Sequence, residues 1–419
     1  SVMPIFGRLA DMIGRKLLYT GAFLLFIIGS GLCGFAPDLP TLITFRVVQG
    51  IGAALLSANG IAIVVMAAGP EQRGRALGLL SAAQAVGLGV GPAVGGLVLD
   101  TLGWHWAFWI NVPFGLLGLL LGWFVLPQTR LLQTDGRFDW YGALLIAPSL
   151  TAVMAVLNEG HSWGVTSPAF IACGVAAVVL LALFVMAERH AVTPLIDFAL
   201  LRQRAFLTGN LANFLSYAAL FGVFFLIPFV LVRVYQDSEL VAGLRLSIVP
   251  VMLGLLAPVG GMLYDRFGAR IVTAAGMAVC VAGLAVLYVF LDGKAVNMPL
   301  VMLALAIFGA GQGLFISPNS SAIMATAPEE LTGEAGSLLN VVRYLGISTG
   351  IAGASTVLAL GIADVPGSNG ITVDASAAAL VFASRAVILM LGILAVLAGA
   401  LSMMRTVPRK ARGEHAVEL

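Results

Sequence analysis

Long apolar runs separated by short polar turns make up most of the chain from residue 17 onward. Each run is long enough to cross about 30 Å of hydrocarbon as a helix that rises about 1.5 Å per residue. The pattern predicts an all-α membrane protein with twelve full spans, preceded by the stub of an earlier one. The runs lie near residues 17–35, 40–66, 75–99, 104–126, 140–158, 167–188, 206–233, 243–264, 271–291, 298–325, 334–362 and 377–404.

The charged residues between the runs fall on two different sides of the predicted helices. One side carries most of the bases, including Arg73, Arg75, Arg266 and Arg270, and the other side carries acidic turns. Because cytoplasmic loops of membrane proteins are enriched in lysine and arginine, the basic side is expected to be cytoplasmic. The tail over residues 405–419 is then also expected in the cytoplasm, and the protein is expected in the cell membrane.

Two segments of the chain repeat each other in outline. Residues 7–16 and 261–270 share a glycine, a leucine, an aspartate, a second glycine and a base in the same order. Residues 56–63 similarly resemble residues 316–323. Paired repeats within a hydrophobic chain indicate two related bundles of membrane helices, which is the build of a secondary transporter.

The repeat also predicts domain boundaries. Eight apolar runs separate the two copies of the opening motif, two more than a pair of six-helix halves would place there. The runs near 140–158 and 167–188 are therefore interpreted as an insertion. We expect an N-terminal bundle over residues 1–126, a linker with two inserted helices over 127–205, a C-terminal bundle over 206–404 and a tail over 405–419.

Composition narrows the class of protein further. Of the 419 residues, 60% are hydrophobic and only 10% are charged, and the mean hydropathy is +1.03. Such a chain cannot bury its apolar surface within a water-soluble globule. The net charge of +2 is spread over the helix ends, which argues against a nucleic-acid surface. Cys33, Cys173 and Cys280 lie in apolar runs without metal-ligand spacing, which favours packing over a disulfide or a metal site.

Four motifs carry a resemblance to a known family. Residues 7–16 resemble the major facilitator superfamily signature between its second and third helices, and residues 46–52 resemble its fourth-helix motif. Residues 87–96 are similar to the fifth-helix motif of its antiporters, and residues 104–113 to a pattern of its fourteen-helix drug:proton antiporters. The resemblance implies two pseudo-symmetric six-helix bundles plus two inserted helices. It also implies a chain truncated at its N-terminus, lacking the first helix and most of the second.

The opening motif and its repeat are candidates for a gate between conformations. Each places an aspartate at a helix end, where the carboxylate can accept hydrogen bonds from backbone N–H groups at a neighbouring helix N-terminus. A glycine three residues later allows the tight turn. The alternative is an ordinary turn flanked by bases that set topology. The candidate gating residues are Gly7, Asp11, Gly14, Arg15, Gly261, Asp265 and Gly268.

Arg46 lies about two turns inside an apolar run. An unpaired guanidinium there costs about 3 kcal/mol, so Arg46 is expected to face a polar cavity or a partner. The family resemblance assigns this position to proton transfer or to tuning a nearby carboxylate. The alternative is a structural arginine bonded to backbone carbonyls. Arg343 and Arg385 also lie inside runs. Arg343 aligns with Gln84 across the repeat and is expected on the substrate side.

A glycine-rich stretch in the fifth-helix motif is the candidate antiporter hinge. Small residues four positions apart let two helices approach closely, and a proline frees a backbone carbonyl and bends its helix. Generic helix packing is the alternative. The candidate hinge residues are Gly87, Gly91, Pro92, Gly95 and Gly96.

Polar and aromatic residues interrupt several apolar runs. Asn210, Asn213, Tyr217 and Phe221 share one helical face, which gives an amphipathic stripe that the resemblance places on the central cavity. Packing and interhelical hydrogen bonds explain such residues as well. Further candidates for the substrate cavity are Gln84, Gln312, Asn319, Asn340 and Arg343.

Motifs for catalysis and cofactor binding are absent from the sequence. It contains no glycine-rich phosphate loop ending in Gly-Lys-Ser/Thr, no His-Glu-x-x-His and no Gly-x-Ser-x-Gly. We therefore expect no enzyme activity, no metal and no cofactor, with a proton gradient as the energy source. No carboxylate lies deep in any of the twelve runs, so proton coupling is implied by the family resemblance alone.

The combined expectation is a secondary active transporter that exports small amphipathic molecules or drugs in exchange for protons by alternating access. Its expected partners are the lipid bilayer, the small-molecule substrate and protons, without nucleic acid, and it is expected to act as a monomer. Two alternatives remain open. One is a metabolite or siderophore exporter or a uniporter on the same scaffold, and the other is a transport-inactive fragment or membrane sensor.

Overall fold

The computed structural model describes residues 14–126, 140–163, 167–190, 198–327, 332–363 and 376–405. Within these ranges every regular element is helical, with one turn of 3-10 helix at Ala295–Asn297. The α-helices are α1 (Arg15–Gly34), α2 (Leu39–Leu102), α3 (Trp106–Trp109), α4 (Asn111–Val125), α5 (Trp140–Trp163), α6 (Pro168–His190), α7 (Phe198–Arg202), α8 (Arg204–Arg233), α9 (Glu239–Leu246), α10 (Ile248–Phe267), α11 (Ala269–Phe290), α12 (Met298–Met324), α13 (Thr332–Ala363) and α14 (Ala377–Met403).

The apolar runs predicted from the sequence form helices. Among the described residues, ten helices are long and apolar enough to cross a membrane. Two shorter apolar helical stretches, Gly87–Leu102 and Leu144–Val156, overlap the remaining two predicted runs. The predicted all-α membrane fold is therefore confirmed. Its cause is the absence of water in hydrocarbon, since a helix satisfies its own backbone hydrogen bonds.

The longest helix, α2, corrects the predicted pattern of spans. The sequence predicts two runs, 40–66 and 75–99, with a polar turn between them, but the backbone is helical without interruption over 64 residues. Glu71, Gln72 and Arg73 favour a helix, whereas Gly69, Pro70 and Gly74 disfavour one, so helix propensity alone does not account for the unbroken helix. Its 64 residues are more than one membrane crossing needs. Its two apolar parts pack on different partners.

The turns between the helices form two groups that differ in charge. The acidic end is defined here by the turns that carry Asp38, Asp237 and Asp292, and the basic end by Arg202, Arg266, Arg270 and Arg405.

Polar caps at the acidic end determine where several helices begin. Asp38 precedes α2 and accepts a 2.8 Å hydrogen bond from the backbone N–H of Thr41, and hydrogen bonds from Thr41 lower the pKa of this carboxyl. Ser238 caps α9 and Ser376 caps α14 in the same way. Each cap satisfies a backbone donor that the first helical turn leaves open.

The first part of α2 packs closely on α1. Gly29 and Gly52 lie at this interface, where a Cβ would overlap Gln49 and Phe26, respectively. Helix α1 also packs on α4. These contacts define the N-terminal half of the molecule.

The C-terminal half, from α8 to α14, holds the largest apolar core. Leu226, Leu231, Phe308, Phe315 and Leu391 are among its fully buried side chains. Helix α12 packs on α8, α10 and α11, so it lies at the centre of this half.

The predicted inserted helices correspond to α5 and α6, which pack on each other. Helix α5 also packs on α13. Exposed apolar side chains such as Val175 and Val178 cover α6, as expected of a surface that faces lipid. Residues 127–139 and 191–197 lie outside the described ranges, and the predicted domain boundaries stay predictions.

Candidate functional site

The repeated turn motif contains two equivalent glycines. Gly14 precedes α1 with φ 105° and ψ 124°, and Gly268 joins α10 to α11 with φ 81° and ψ 162°. Residues with a Cβ rarely adopt these positive φ values, so both turns need glycine. The matching geometry supports the pseudo-symmetry of the two halves.

The carboxylate of the second turn motif does not make the predicted hydrogen bonds to backbone N–H groups of the described residues. Asp265 is exposed at the end of α10, and its side chain makes no hydrogen bond to another described residue. Gly261 is half-buried, and no heavy atom lies within 4 Å of where its Cβ would be. Gly7, Asp11 and the side chain of Arg15 lie outside what the structure describes.

Arg46 belongs to a chain of hydrogen bonds in the N-terminal half. Its Nη1 donates to Oε1 of Gln49 over 3.0 Å, and Nε2 of Gln49 donates to Oγ of Ser30 over 2.8 Å. The guanidinium carbon also lies 4.6 Å from the ring centroid of Phe108, a cation–π distance. Gln49 is buried and Arg46 is exposed, so a buried amide holds a cationic group at an accessible surface within the span.

Ser30 is the centre of this chain. Its hydroxyl is fully buried, accepts from Gln49, and donates to the backbone carbonyl of Phe108 over 3.0 Å. Nδ2 of Asn111 lies 3.3 Å from the same hydroxyl and from the carbonyl of Ala107. We name this set of side chains, Arg46, Gln49, Ser30 and Asn111, the Ser30 network. Ser30 and Asn111 were not among the functional residues predicted from the sequence, although Asn111 lies in the motif over residues 104–113.

The candidate hinge packs α2 against α9 at the acidic end. A Cβ on Gly96 would overlap the carbonyl of Glu239, and a Cβ on Gly243 would overlap the carbonyl of Pro92. A Cβ built on Gly89 would lie 3.6 Å from Cγ2 of Val251 in α10, so Gly89 also lies on this interface. The two halves of the molecule therefore touch through backbone atoms at this end.

The other hinge glycines face away from this contact. Within the described part of the chain, no heavy atom lies within 4 Å of a Cβ built on Gly87, Gly91 or Gly95. The motif thus has one face that closes against the other half and one face without a close neighbour. Gly89 and Gly243 were not predicted from the sequence. The glycine in α9 could have indicated that α9 packs closely on α2.

Several predicted cavity residues are buried within the C-terminal half. Asn210 and Asn213 lie on the buried face of α8, and no described residue bonds either amide atom of Asn213. Gln312 is fully buried in α12 and accepts a 2.7 Å hydrogen bond from Oγ of Ser216. This geometry favours hydrogen bonding between α8 and α12 for Gln312.

Asn319 belongs to a second interhelical contact that the sequence did not indicate. Its Nδ2 donates to the carbonyl of Gly209 over 3.2 Å, and its Oδ1 accepts from Nη2 of Arg405 over 2.9 Å. Arg405 follows α14 and is only 3% exposed, and burial lowers the pKa of its guanidinium to about 10. The side chain remains a cation at neutral pH and joins the basic ends of α8, α12 and α14.

A cluster of aromatic side chains surrounds Arg343 of α13. The guanidinium carbon lies 5.9 Å from the ring centroid of Tyr217 and 5.0 Å from that of Tyr344. Tyr344 is partly exposed, and its hydroxyl lies 3.3 Å from Oγ of Ser57 in α2. The structure thus brings Tyr217 and Arg343 together, next to a contact between the two halves.

The remaining cavity candidates are more loosely placed. Phe221 is half-buried and stacks on Phe224 with ring centroids 5.6 Å apart. Asn340 is half-buried, and Gln84 is exposed. Together with Tyr217 and Arg343, they offer aromatic and polar groups to a solute, whereas Asn210, Asn213, Gln312 and Asn319 are enclosed.

Two helical halves with equivalent turns, in contact through small residues and enclosing polar groups within apolar spans, define a membrane carrier. The chain belongs to the family described as the Major Facilitator Superfamily, whose sequence pattern matches residues 1–351. It is a multi-pass transporter of this family.

Named relatives fall into more than one transport class. The chain is 34% identical over 364 residues to the riboflavin transporter RibZ of Clostridioides difficile, covering 86% of this chain and 77% of that protein. It is 32% identical over 362 residues to the multidrug resistance protein B homolog of Mycobacterium tuberculosis, covering 85% of this chain. The match spans 66% of that protein's length.

Solved structures show the same fold. The crystal structure of a D-xylose-proton symporter aligns with a TM-score of 0.64 at 17% identity, covering 97% of this chain and 85% of that one. A POT family transporter in complex with 5-aminolevulinic acid aligns with a TM-score of 0.67, also at 17% identity, with coverages of 96% and 85%. At this identity the likeness concerns the fold alone.

Proposed function

We propose that this protein is a secondary active exporter of small amphipathic molecules and that it exchanges its substrate for protons. The two halves would expose the aromatic cluster around Arg343 alternately to each side of the membrane. Relatives named as multidrug resistance proteins support the export of drugs. The observation that carries the coupling part is the exposed guanidinium of Arg46, which the Ser30 network holds in place.

Arg46 does not titrate near neutral pH, because a guanidinium keeps its proton in proteins. Its proposed role is to stabilise an anionic partner, either the carboxylate that exchanges the proton or a charged group of the substrate. An opposite charge nearby lowers the pKa of such a carboxyl and eases proton release. A guanidinium fixed by buried hydrogen bonds meets this need better than a mobile one.

Transport by reconstituted protein tests this role. In proteoliposomes with an imposed pH gradient, Arg46→Ala is expected to lower uphill transport at least tenfold, while exchange without a gradient is retained. The same assay in whole cells uses a panel of cationic dyes, antibiotics and riboflavin.

Arg266→Ala provides a matched control, because Arg266 is exposed and lies near its own neighbour Phe267 at the basic end. This variant is expected to transport at the wild-type rate. Wild-type uphill transport by Arg46→Ala would show that Arg46 has no part in coupling.

A metabolite exporter or uniporter is the second candidate, and Arg343 favours it. Within the part of the chain that the structure describes, Arg343 contacts aromatic rings and is in no ion pair with a carboxylate. A positive charge beside the rings suits neutral or anionic aromatic solutes and repels cationic drugs. Counterflow that ignores the pH gradient would support a uniporter, and export of neutral or anionic solutes alone would support the metabolite exporter.

We further propose that the protein acts as a monomer in the plasma membrane, that it belongs to the fourteen-helix drug:proton antiporters and that it uses no cofactor. The basic end and the C-terminus are proposed to be cytoplasmic because lysine and arginine are enriched there. A reporter fused after Leu419 that is active only in the cytoplasm checks the orientation. An inactive fusion together with an active periplasmic reporter at the same position would reverse it.

A further inference from the structure

Arg385 is a charged residue inside a helix that is long and apolar enough to span the membrane. It lies eight residues after the start of α14 at Ala377, which corresponds to about 12 Å along the helix. A guanidinium at this depth is stable only if it has a polar partner or reaches the membrane surface. The position of its side chain therefore has to be explained.

The side chain points along the groove between α14 and α11. Its guanidinium carbon lies 5.8 Å from the ring centroid of Tyr288, two residues before α11 ends at Phe290. The charge therefore lies close to the acidic end of the span, although the backbone of Arg385 is deeper. A long basic side chain that reaches the interface in this way is a snorkelling side chain.

The hydrogen-bonding capacity of Arg385 is not used within the described part of the chain. Its Nε is buried and has no acceptor there. Among the described residues, the ion pairs at the acidic end join Arg245 to Asp237 and Lys294 to Asp292, and neither includes Arg385. An acceptor from outside these residues is needed to satisfy the guanidinium.

Exposed apolar side chains lie next to Arg385 along the sequence and on the neighbouring helix α11. On either side of Arg385, Phe382 is 60% exposed and Leu389 is 53% exposed, and Val289 of α11 is 59% exposed. Arg343, by contrast, lies between Tyr217 and Tyr344 beside the contact of the two halves. The two intramembrane arginines thus face different surroundings.

We propose that Arg385 and Tyr288 form a binding site for the headgroup of an anionic phospholipid in the leaflet at the acidic end. The guanidinium donates hydrogen bonds to the phosphate oxygens, a geometry that suits its planar fork. The tyrosine lies at the depth where amphipathic rings are favoured. The exposed apolar side chains of Phe382, Leu389 and Val289 contact the acyl chains.

Native mass spectrometry of the full chain tests this site. The protein is released from mixed micelles of phosphatidylglycerol and phosphatidylcholine, and the number of phosphatidylglycerol molecules retained is counted. Arg385→Gln is expected to retain about one fewer than the wild type, and Arg385→Lys an intermediate number. Phosphatidylglycerol is also expected to raise the Tm of the wild type more than that of Arg385→Gln, because a ligand stabilises the folded state that binds it.

Arg343→Gln is the matched control, since it removes an intramembrane arginine from the other location and is expected to leave lipid retention unchanged. Inorganic phosphate at millimolar concentration is expected not to displace the lipid, and displacement would assign the site to free phosphate instead. Equal retention by the wild type and Arg385→Gln would overturn the proposal and show that the chain itself satisfies the guanidinium. If Arg385→Gln does not fold, Arg385→Lys decides the question. Lower retention by Arg385→Lys than by the wild type supports the site, and equal retention overturns it.

Discussion

Ser30 shows how one buried side chain can fix the position of a functional one. The hydroxyl is fully buried and connects α1 with α2, with the carbonyl of Phe108 in α3 and with Asn111 in α4. Each buried polar group left without a partner costs about 1–3 kcal/mol. The network is therefore held together chiefly by a residue that contacts no solvent.

Replacing Ser30 with alanine is expected to disturb Arg46 without touching it. Ser30→Ala removes the acceptor of Gln49, so the amide can turn and release Nη1 of Arg46. We expect uphill transport to fall several-fold and its pH profile to shift, because the partner of Arg46 loses a fixed positive charge. Transport measured against pH in proteoliposomes checks this expectation.

Ser384→Ala is the control for burial alone. Ser384 is also fully buried, but its hydroxyl donates to the carbonyl of Leu380 in its own helix. Its replacement is expected to leave the pH profile unchanged. A Ser30→Ala protein with the wild-type pH profile would separate Ser30 from the coupling site.

Among the helices, the contact of α2 with α9 depends on which glycine faces the partner. Gly96→Ala places a Cβ onto the carbonyl of Glu239 and is expected to push the two helices apart, with a cost of about 1–3 kcal/mol. The expected result is a Tm lowered by a few degrees and slower transport. Thermal unfolding of the purified protein in detergent measures the first effect.

Gly95→Ala, in the same helix, is expected to change the Tm in the opposite direction. A Cβ there meets no heavy atom within 4 Å, and alanine favours the helix over glycine by about 1 kcal/mol. Its Tm is expected to equal or exceed that of the wild type. Equal loss of stability in both variants would mean that the hinge glycines act through backbone flexibility instead of close packing.

The sequence predicted most helices because lipid imposes a simple pattern. A span needs a long apolar run, and Asp38, Ser238 and Ser376 mark starts by capping. The interruption expected between residues 66 and 75 did not appear, although the segment contains polar residues, two glycines and a proline. Polarity indicates exposure to water, but it does not by itself end a helix.

The candidate site was only partly predictable from the sequence. Asn213 and Gln312 were recognised as polar positions in apolar helices, but an amphipathic stripe has the same spacing whether it faces a cavity or a neighbouring helix. Arg405 was assigned to the cytoplasmic tail, although it folds back to bond Asn319. Such contacts depend on which helices are neighbours, and one sequence does not specify that.

Two contacts described here join the two halves of the molecule at different positions along the helices. The backbone contact of Gly96 with Glu239 closes the acidic end, and Ser57 of α2 meets Tyr344 of α13 nearer the basic end. Alternating access requires at least one of these contacts to open in each half-cycle.

Linking the halves through Ser57 and Tyr344 is therefore expected to stop transport. The double variant Ser57→Cys with Tyr344→Cys, treated with a short bifunctional thiol reagent, should lose transport in proportion to the cross-linked fraction. The native cysteines Cys33 and Cys280 are buried, which limits their reaction, and the half-buried Cys173 is replaced by serine in every variant. Each single variant treated alike controls for modification at one site. Reduction of a cleavable linker should restore the rate. Undiminished transport by fully cross-linked protein would mean that this contact stays closed throughout the cycle, and that the halves separate only at the acidic end.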